Sequence, residues 1–192
     1  VTDIVDKQTR SRMMAGIKGK DTKPELVLRR ALHARGFRYR LHSKNVPGRP
    51  DLVFPKHHTI VFVHGCFWHR HEGCRYTTTP STRPEFWQAK FDANVTRDGA
   101  VQGQLLEAGW RVATVWECSL RKTDQLAATV ELLAAWLRSN GRQLEVGEMD
   151  IKHSEGAVRP IRTRLCKGGV PACYAAPSWR HSARAAARFS LK

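Results

Sequence analysis

Asp51, His64, Cys66, His69, His71 and Cys74 lie within one short stretch, bounded by the turn Pro47-Gly-Arg-Pro50 and the loop that ends in Cys74. Carboxylate, imidazole and thiol are the side chains that hold metals and move protons near neutral pH. Within a strongly basic chain, this concentration of groups suits phosphodiester chemistry. Asp51 stands beside the apolar run Leu52-Val-Phe54, where a carboxylate is costly unless a cation or a donor neutralises it, so it is read as a metal ligand. His64 and His69 are candidates for proton transfer or for stabilising a phosphate. Glu25 could hydrogen-bond a water on that metal, although the spacing Thr22-Lys-Pro-Glu25 also makes it the acidic member of a capping box.

The thiols suggest a second centre. Cys66, His71 and Cys74 have the close spacing of ligands carried on one loop, and Cys118 follows an apolar run that could deliver it alongside. Three sulfurs and one imidazole make a closed tetrahedral site of the kind that holds a structural zinc, with Zn–S of about 2.3 Å. His69 is the alternative imidazole. Phe67, Trp68 and Trp87 sit in polar or helix-start surroundings, where aromatic rings can stack on bases or wedge between base pairs, or else pack the loop.

These groups need elements to position them. Leu52-Val-Phe54 and Ile60-Val-Phe-Val63 read as two short strands, and the connection between them is short enough for an antiparallel hairpin. Thr22 caps a helix whose apolar face is Leu26, Leu28, Ala31 and Leu32 and which Gly36 stops. Phe37-Arg-Tyr-Arg-Leu41 alternates with period two and predicts a further strand. Arg83 to Val95 starts a helical pattern that runs on to Leu106, with a break expected near Gly99 and Gly103. Trp110 to Trp116 predicts another strand, ending at Glu117 and Cys118, and Thr123 to Leu137 an amphipathic helix. An α/β domain with a central mixed sheet flanked by helices accounts for this order.

Composition narrows the partners. The chain has 192 residues, 41% of them hydrophobic, with 33 Lys and Arg against 17 Asp and Glu and a formal net charge of +16. Such a surface attracts polyanions and releases counterions on binding them, so nucleic acid is the leading partner. No apolar run approaches membrane-spanning length and no secretory pattern opens the chain, from which a cytosolic protein is expected. Five cysteines in that compartment suggest metal ligands or free thiols before disulfides.

Residues 1–20 are polar and basic, with Met13-Met14 embedded, and suit an arm laid on a phosphate backbone. Residues 21–140 form the expected compact domain. Residues 141–192, with ten Lys and Arg against four Asp and Glu, read as an appended basic tail, probed by no motif and containing Cys166 and Cys173 as unpaired thiols.

Pro47-Gly-Arg-Pro-Asp51, Val63-His-Gly-Cys-Phe-Trp-His69, Phe86-Trp87, Asn94-Val95 and Trp110-Arg-Val…Val115-Trp-Glu-Cys118 together resemble the very short patch repair (Vsr) DNA mismatch endonucleases over residues 3–140. The resemblance implies a restriction-endonuclease-like fold and nicking 5′ to the T of a T:G mismatch left by deamination of 5-methylcytosine. It implies that Asp51 and the Val63 carbonyl bind catalytic magnesium, that His69 and Glu25 support the waters on it and that His64 lines the site. It implies structural zinc on Cys66, His71, Cys74 and Cys118. Phe67, Trp68 and Trp87 would intercalate, Met14 would wedge from the arm, and Lys90 and Asn94 would read the mismatch. The implied setting is a monomer in the bacterial cytosol and nucleoid, acting on double-stranded DNA with a MutL-type protein and a repair polymerase, and without a membrane.

Two departures from the familiar pattern stand out. The loop His69-Arg-His-Glu-Gly-Cys74 is one residue longer before its cysteine, and Phe62-Val-His64 stands where the usual nuclease signature has Glu-x-Lys. Fewer protein carboxylates and more water around the metal are the expected result. Two other classes fit the same residues: a zinc-stapled DNA-binding module without catalysis, and a sequence-specific restriction endonuclease that cuts both strands.

Overall fold

A computed structural model of the chain describes residues 6–16, 19–41 and 43–152. By compactness the chain divides into residues 1–161 and residues 162–192, the second of which lies outside the described residues. The expectations for residues 153–192, including Cys166 and Cys173, lie there too.

Helix α1 spans Lys7–Ala15 in what the sequence offers as an arm, and the Asp6 carboxylate starts it by accepting from the Gln8 and Thr9 amides, each at 2.9 Å. Helix α2 spans Lys23–Ala34. Its capping box closes as the sequence predicts: the Thr22 amide and hydroxyl donate to Glu25 Oε1 at 3.3 and 2.7 Å. Strands β1 (Leu52–Phe54) and β2 (Thr59–His64) form the antiparallel hairpin, and β2 then pairs in parallel with β3 (Arg111–Trp116). Between β2 and β3 come one turn of helix, α3 (Cys66–His69), and the long α4 (Pro84–Glu107). Helix α5 (Thr123–Arg138), strand β4 (Gln143–Val146) and helix α6 (Glu148–Lys152) complete the described chain, giving a mixed sheet in the order β1-β2-β3-β4.

The sheet is covered on both faces, which is why its strands read as nearly continuous apolar runs. Leu52, Phe54, Val61, Ala113 and Val115 face Leu28 and Leu32 of α2 and Val130, Leu133 and Leu137 of α5. The alternate residues Val53, Ile60, Phe62 and Val112 face Leu105 of α4.

Three sequence expectations are corrected. Residues 37–41 contribute a single bridge, Arg40 with Val53, because Phe37 is drawn into the core beneath α5 and Phe54 rather than laid along β1. Helix α4 runs unbroken through Gly99 and Gly103, since both lie where their missing side chains cost nothing in packing and the helix is held by burial of Phe91 and Leu105. The ordered domain also continues past residue 140: β4 pairs in parallel with β3 from Val112↔Gln143 to Val115↔Val146, using the ladder edge that β3 would otherwise expose.

Candidate active site and metal centre

Asp51 immediately precedes β1, and because β1 runs antiparallel to β2 this places it beside the carboxyl end of the parallel pair β2–β3. Ligand sites of open α/β sheets sit there. The carboxylate accepts from the Val63 amide at 2.7 Å, taking a β2 donor where β1 has not yet begun. The preceding turn is pressed against α4. Gly48 has φ of +78°, and a Cβ built there would lie 2.2 Å from Val101 Cγ1, so only glycine fits both the conformation and the contact.

A cleft of about 660 Å³ opens over these residues, lined by Glu25, Asp51, Val63, His64, His69 and Lys90 among others. Thus the structure gathers every catalytic candidate named from the sequence into one place. It adds Asp98 from α4 and Glu117 from the end of β3. Asp98 was missed because nothing local in the sequence brings it to His69, 29 residues away. Continued by one turn, the face of Lys90 and Asn94 reaches Asp98 at the same helical spacing. Glu117 reaches the cleft past Gly65, whose added Cβ would lie 3.2 Å from its Oε2. The carboxylates expected to be few therefore come from other elements.

His69 Nδ1 hydrogen-bonds the Asp98 carboxylate, which as an acceptor fixes the Nδ1–H tautomer. The imidazole of His64 stacks on that of His69, with ring centroids 3.9 Å apart and planes 10° from parallel. Burial holds the His64 pKa down to about 3, helped by the neighbouring His69, so it is a neutral packing face. For Asp98, burial acts upward, but the hydrogen bond and charge of His69 outweigh it and keep the carboxyl below its ordinary range. His64, His69 and Asp98 have ligand atoms within 4.8 Å of one another. A metal bound to both imidazoles would have to lie in both ring planes, and two stacked parallel planes share no such point. The trio thus presents one imidazole hydrogen-bonded to a carboxylate, with a second imidazole stacked on its face.

Glu25 is buried and its oxygens are engaged: besides Thr22, Oε2 accepts from the Asp21 amide at 2.9 Å and from Arg29 at 2.7 Å. It serves the capping box in full while still lining the cleft. Asn94 is equally committed, donating to the Trp68 carbonyl at 3.1 Å and accepting from Arg97 at 2.9 Å.

The aromatic candidates form one cluster. Phe67 meets Trp68, Trp87 and Phe91 edge-on, at centroid distances of 5.0, 5.6 and 5.1 Å. Phe67, Trp68 and Trp87 are half-buried, supported from below by the fully buried Phe91. Phe86, beside them and 55% exposed, is a ring the sequence reading left out of its site. Met14 lies on α1, and its side chain is outside the described residues.

Cys66, His71, Cys74 and Cys118 bring their ligand atoms within 4.8 Å of one another. His71 Nδ1 is 3.6 Å from Cys66 Sγ and 3.4 Å from Cys118 Sγ, against about 3.6 Å for the S–N edge of a tetrahedral zinc site. The set could hold a metal ion, and its chemistry suits zinc. His71 therefore faces the sulfurs while His69 faces Asp98, which separates the two imidazoles that the sequence left interchangeable. Gly73, with φ of +69°, turns the longer loop so that Cys74 still arrives. Cys118 accepts from the Glu148 amide at 3.3 Å. The hydrogen bond from Cys66 and the approach of His71 hold its thiol low, while the same bond and burial push Cys66 up.

The model of the DNA mismatch endonuclease Vsr family matches residues 2–75. The DNA mismatch endonuclease Vsr of Escherichia coli strain K12 is 39% identical over 153 residues, covering 79% of this chain and 97% of that protein. This chain belongs to the Vsr family. The type II nicking enzyme V.XorIIP of Xanthomonas oryzae pv. oryzae is 44% identical over 128 residues, covering 67% of this chain and 93% of that enzyme. The type II nicking enzyme V.NmeAIP of Neisseria meningitidis serogroup A is 41% identical over 121 residues, covering 63% and 86%. As a Vsr-family member the chain is a DNA endonuclease, and the non-catalytic module is set aside. No described helix is long and apolar enough to cross a membrane.

Proposed function

We propose that the chain is a magnesium-dependent endonuclease that nicks double-stranded DNA 5′ to the T of a T:G mismatch, on a restriction-endonuclease-like fold stapled by zinc. The observation that carries this reading is the make-up of the cleft: the Asp51 carboxylate, hydrogen-bonded to Val63, lines it together with Asp98 and Glu117 and with the cations Arg49, Lys90 and Arg97, a setting that suits a divalent cation and a phosphate side by side. Carboxylate and carbonyl oxygens are the donors that suit magnesium.

Asp51 and the Val63 carbonyl would hold the ion, which when bound supplies Lewis-acid polarisation of the phosphodiester and neutralises developing charge. The remaining work falls to the chain. His69, with Nδ1–H committed to Asp98, has Nε2 left to accept the proton of an attacking water. Glu25, fixed by Arg29, orients solvent at the cleft wall. Water adds to phosphorus, the P–O3′ bond breaks, and the products are a 5′-phosphate and a 3′-hydroxyl.

Recognition would rest on the aromatic cluster. A T:G pair unstacks at lower cost than a Watson–Crick pair, so Phe67, Trp68 and Trp87 insert there preferentially, with Met14 wedging from α1. Lys90, exposed on the same face of α4, reads the opened base edge. By the family resemblance the enzyme acts as a monomer and passes the nick to a MutL-type protein and a repair polymerase. The nicking enzymes among its relatives favour single-strand cutting over the restriction-endonuclease reading.

The test is strand-specific nicking of T:G and matched duplexes in a panel of methylation contexts, with and without magnesium. Cutting of both strands of matched DNA would replace this reading by restriction; nicking without added divalent cation would remove the magnesium.

A further inference from the structure

Helix α3 ends at Arg70, whose backbone stands in the left-handed region with φ of 55° and ψ of 56°. Glycine or asparagine is the usual occupant of such a helix end, because a longer side chain crowds the backbone there. An arginine in that place is explained by what its side chain holds. The guanidinium carbon lies over the Phe91 ring, 4.5 Å from its centroid, within the range of a cation–π contact. Nη1 donates to the Thr78 carbonyl at 2.9 Å and Nη2 to the Thr79 hydroxyl at 3.1 Å. Beside them the Thr77 hydroxyl donates to the His71 carbonyl at 2.6 Å, so residues 77–79 are fastened to the chain on either side of Arg70.

Each of these partners bears on the aromatic cluster. Phe91 is its buried floor: Phe67 meets that ring edge-on, and Trp87 lies 5.7 Å from it with planes 29° apart. Residues 77–79 lead towards α4, whose first turn carries Phe86 and Trp87. We propose that Arg70 is a positioning residue for mismatch discrimination, joining the end of α3, the floor of the cluster and the segment before α4 so that Phe67, Trp68 and Trp87 are held ready to enter DNA. Helix α3 cannot do this alone, because a single turn leaves most of its backbone groups without partners inside the helix. Rings ordered only on contact lose part of their stacking free energy to that ordering, whereas rings already held keep it. Insertion takes place at the mismatch, so the benefit of Arg70 falls on T:G binding. Matched binding rests on phosphate contacts, and the Arg70 guanidinium is engaged within the chain.

The inference rests on the T:G reading above, and the experiment separates the two. Affinity for T:G and T:A duplexes is measured without magnesium over a range of salt for wild type, Arg70→Ala and Arg70→Lys, with zinc content and melting temperature as controls for folding. An aminopurine base beside the mismatch reports unstacking by its fluorescence. Arg70→Ala is expected to weaken T:G binding about tenfold and T:A binding less than about twofold, the scale of one desolvated cation–π contact with its hydrogen bonds. The aminopurine signal at saturating protein falls with it. The salt dependence keeps its slope, because no phosphate contact is lost. Arg70→Lys keeps a charge for the ring without the planar fork, and is expected to bind T:G about threefold more weakly than wild type with T:A binding unchanged. This variant decides the matter if Arg70→Ala does not fold.

Equal losses on both duplexes, with a salt slope smaller by about one, would make Arg70 a phosphate contact and overturn the proposal. T:G affinity and aminopurine signal both as in wild type would leave Arg70 a fastener of the loop and overturn it equally. Wild type that binds T:G no better than T:A overturns the functional reading, whereas these variant outcomes with a selective wild type overturn the role of Arg70 alone.

Discussion

The His71 imidazole lies flat on the Trp116 indole, with ring centroids 4.2 Å apart and planes 9° from parallel, while His64 meets the same indole edge-on at 5.4 Å. One side chain thus supports both the Cys/His centre and the cleft. Its Nε1 donates to Glu145 of β4 at 2.7 Å, which ties the segment after residue 140 to the site as well.

Trp116→Ala is expected to destabilise the domain by about 3–5 kcal/mol, the usual cost of truncating a buried tryptophan. Zinc retention and nicking should fall together. Chemical denaturation with parallel metal analysis checks this, and a variant that keeps its zinc yet loses stability would separate the indole from the metal centre.

Asp51→Ala should abolish nicking and leave duplex affinity largely intact, since it removes the proposed magnesium ligand and no basic contact. Single-turnover nicking and a binding titration at one salt concentration measure the two. Near wild-type nicking in magnesium would dismiss Asp51 as the ligand.

The purified protein should carry one zinc per chain. Cys118→Ser or chelation should release it and loosen the loop that carries His69, because a structural zinc site contributes folding free energy directly. Elemental analysis with limited proteolysis reads both effects; zinc-free protein that stays folded and active would contradict the assignment.

Gly48→Ala should cost about 1–3 kcal/mol, as an added methyl meets Val101 and the residue stands at positive φ. Since this turn leads into Asp51, nicking should drop beyond what lost stability explains. Activity well below the melting temperature tests that point.

Trp68→Ala should weaken T:G binding by about 1–3 kcal/mol, in line with removal of one stacking ring, and matched binding much less, because phosphate contacts are left alone. Titrations of both duplexes at fixed salt decide. Equal losses would mean that Trp68 only packs against Phe67 and Trp87.

The residue order alone determined the hairpin that offers Asp51, the capping box on α2, the helix from Thr123 and the sets Asp51/His64/His69 and Cys66/Cys74/Cys118. Those signals are local: a strand pair with a short turn, a Thr-x-x-Glu spacing and an apolar periodicity are each legible within about a dozen residues. Tertiary contacts decided which histidine serves which centre, because His69 and His71 differ only in the direction each leaves the end of α3. They decided that α4 is continuous, since burial of Phe91 and Leu105 outweighs the local cost of Gly99 and Gly103. They also decided that Asp98 meets His69 across 29 residues and Asn94 meets Trp68 across 26, separations at which spacing in the sequence carries no geometric information.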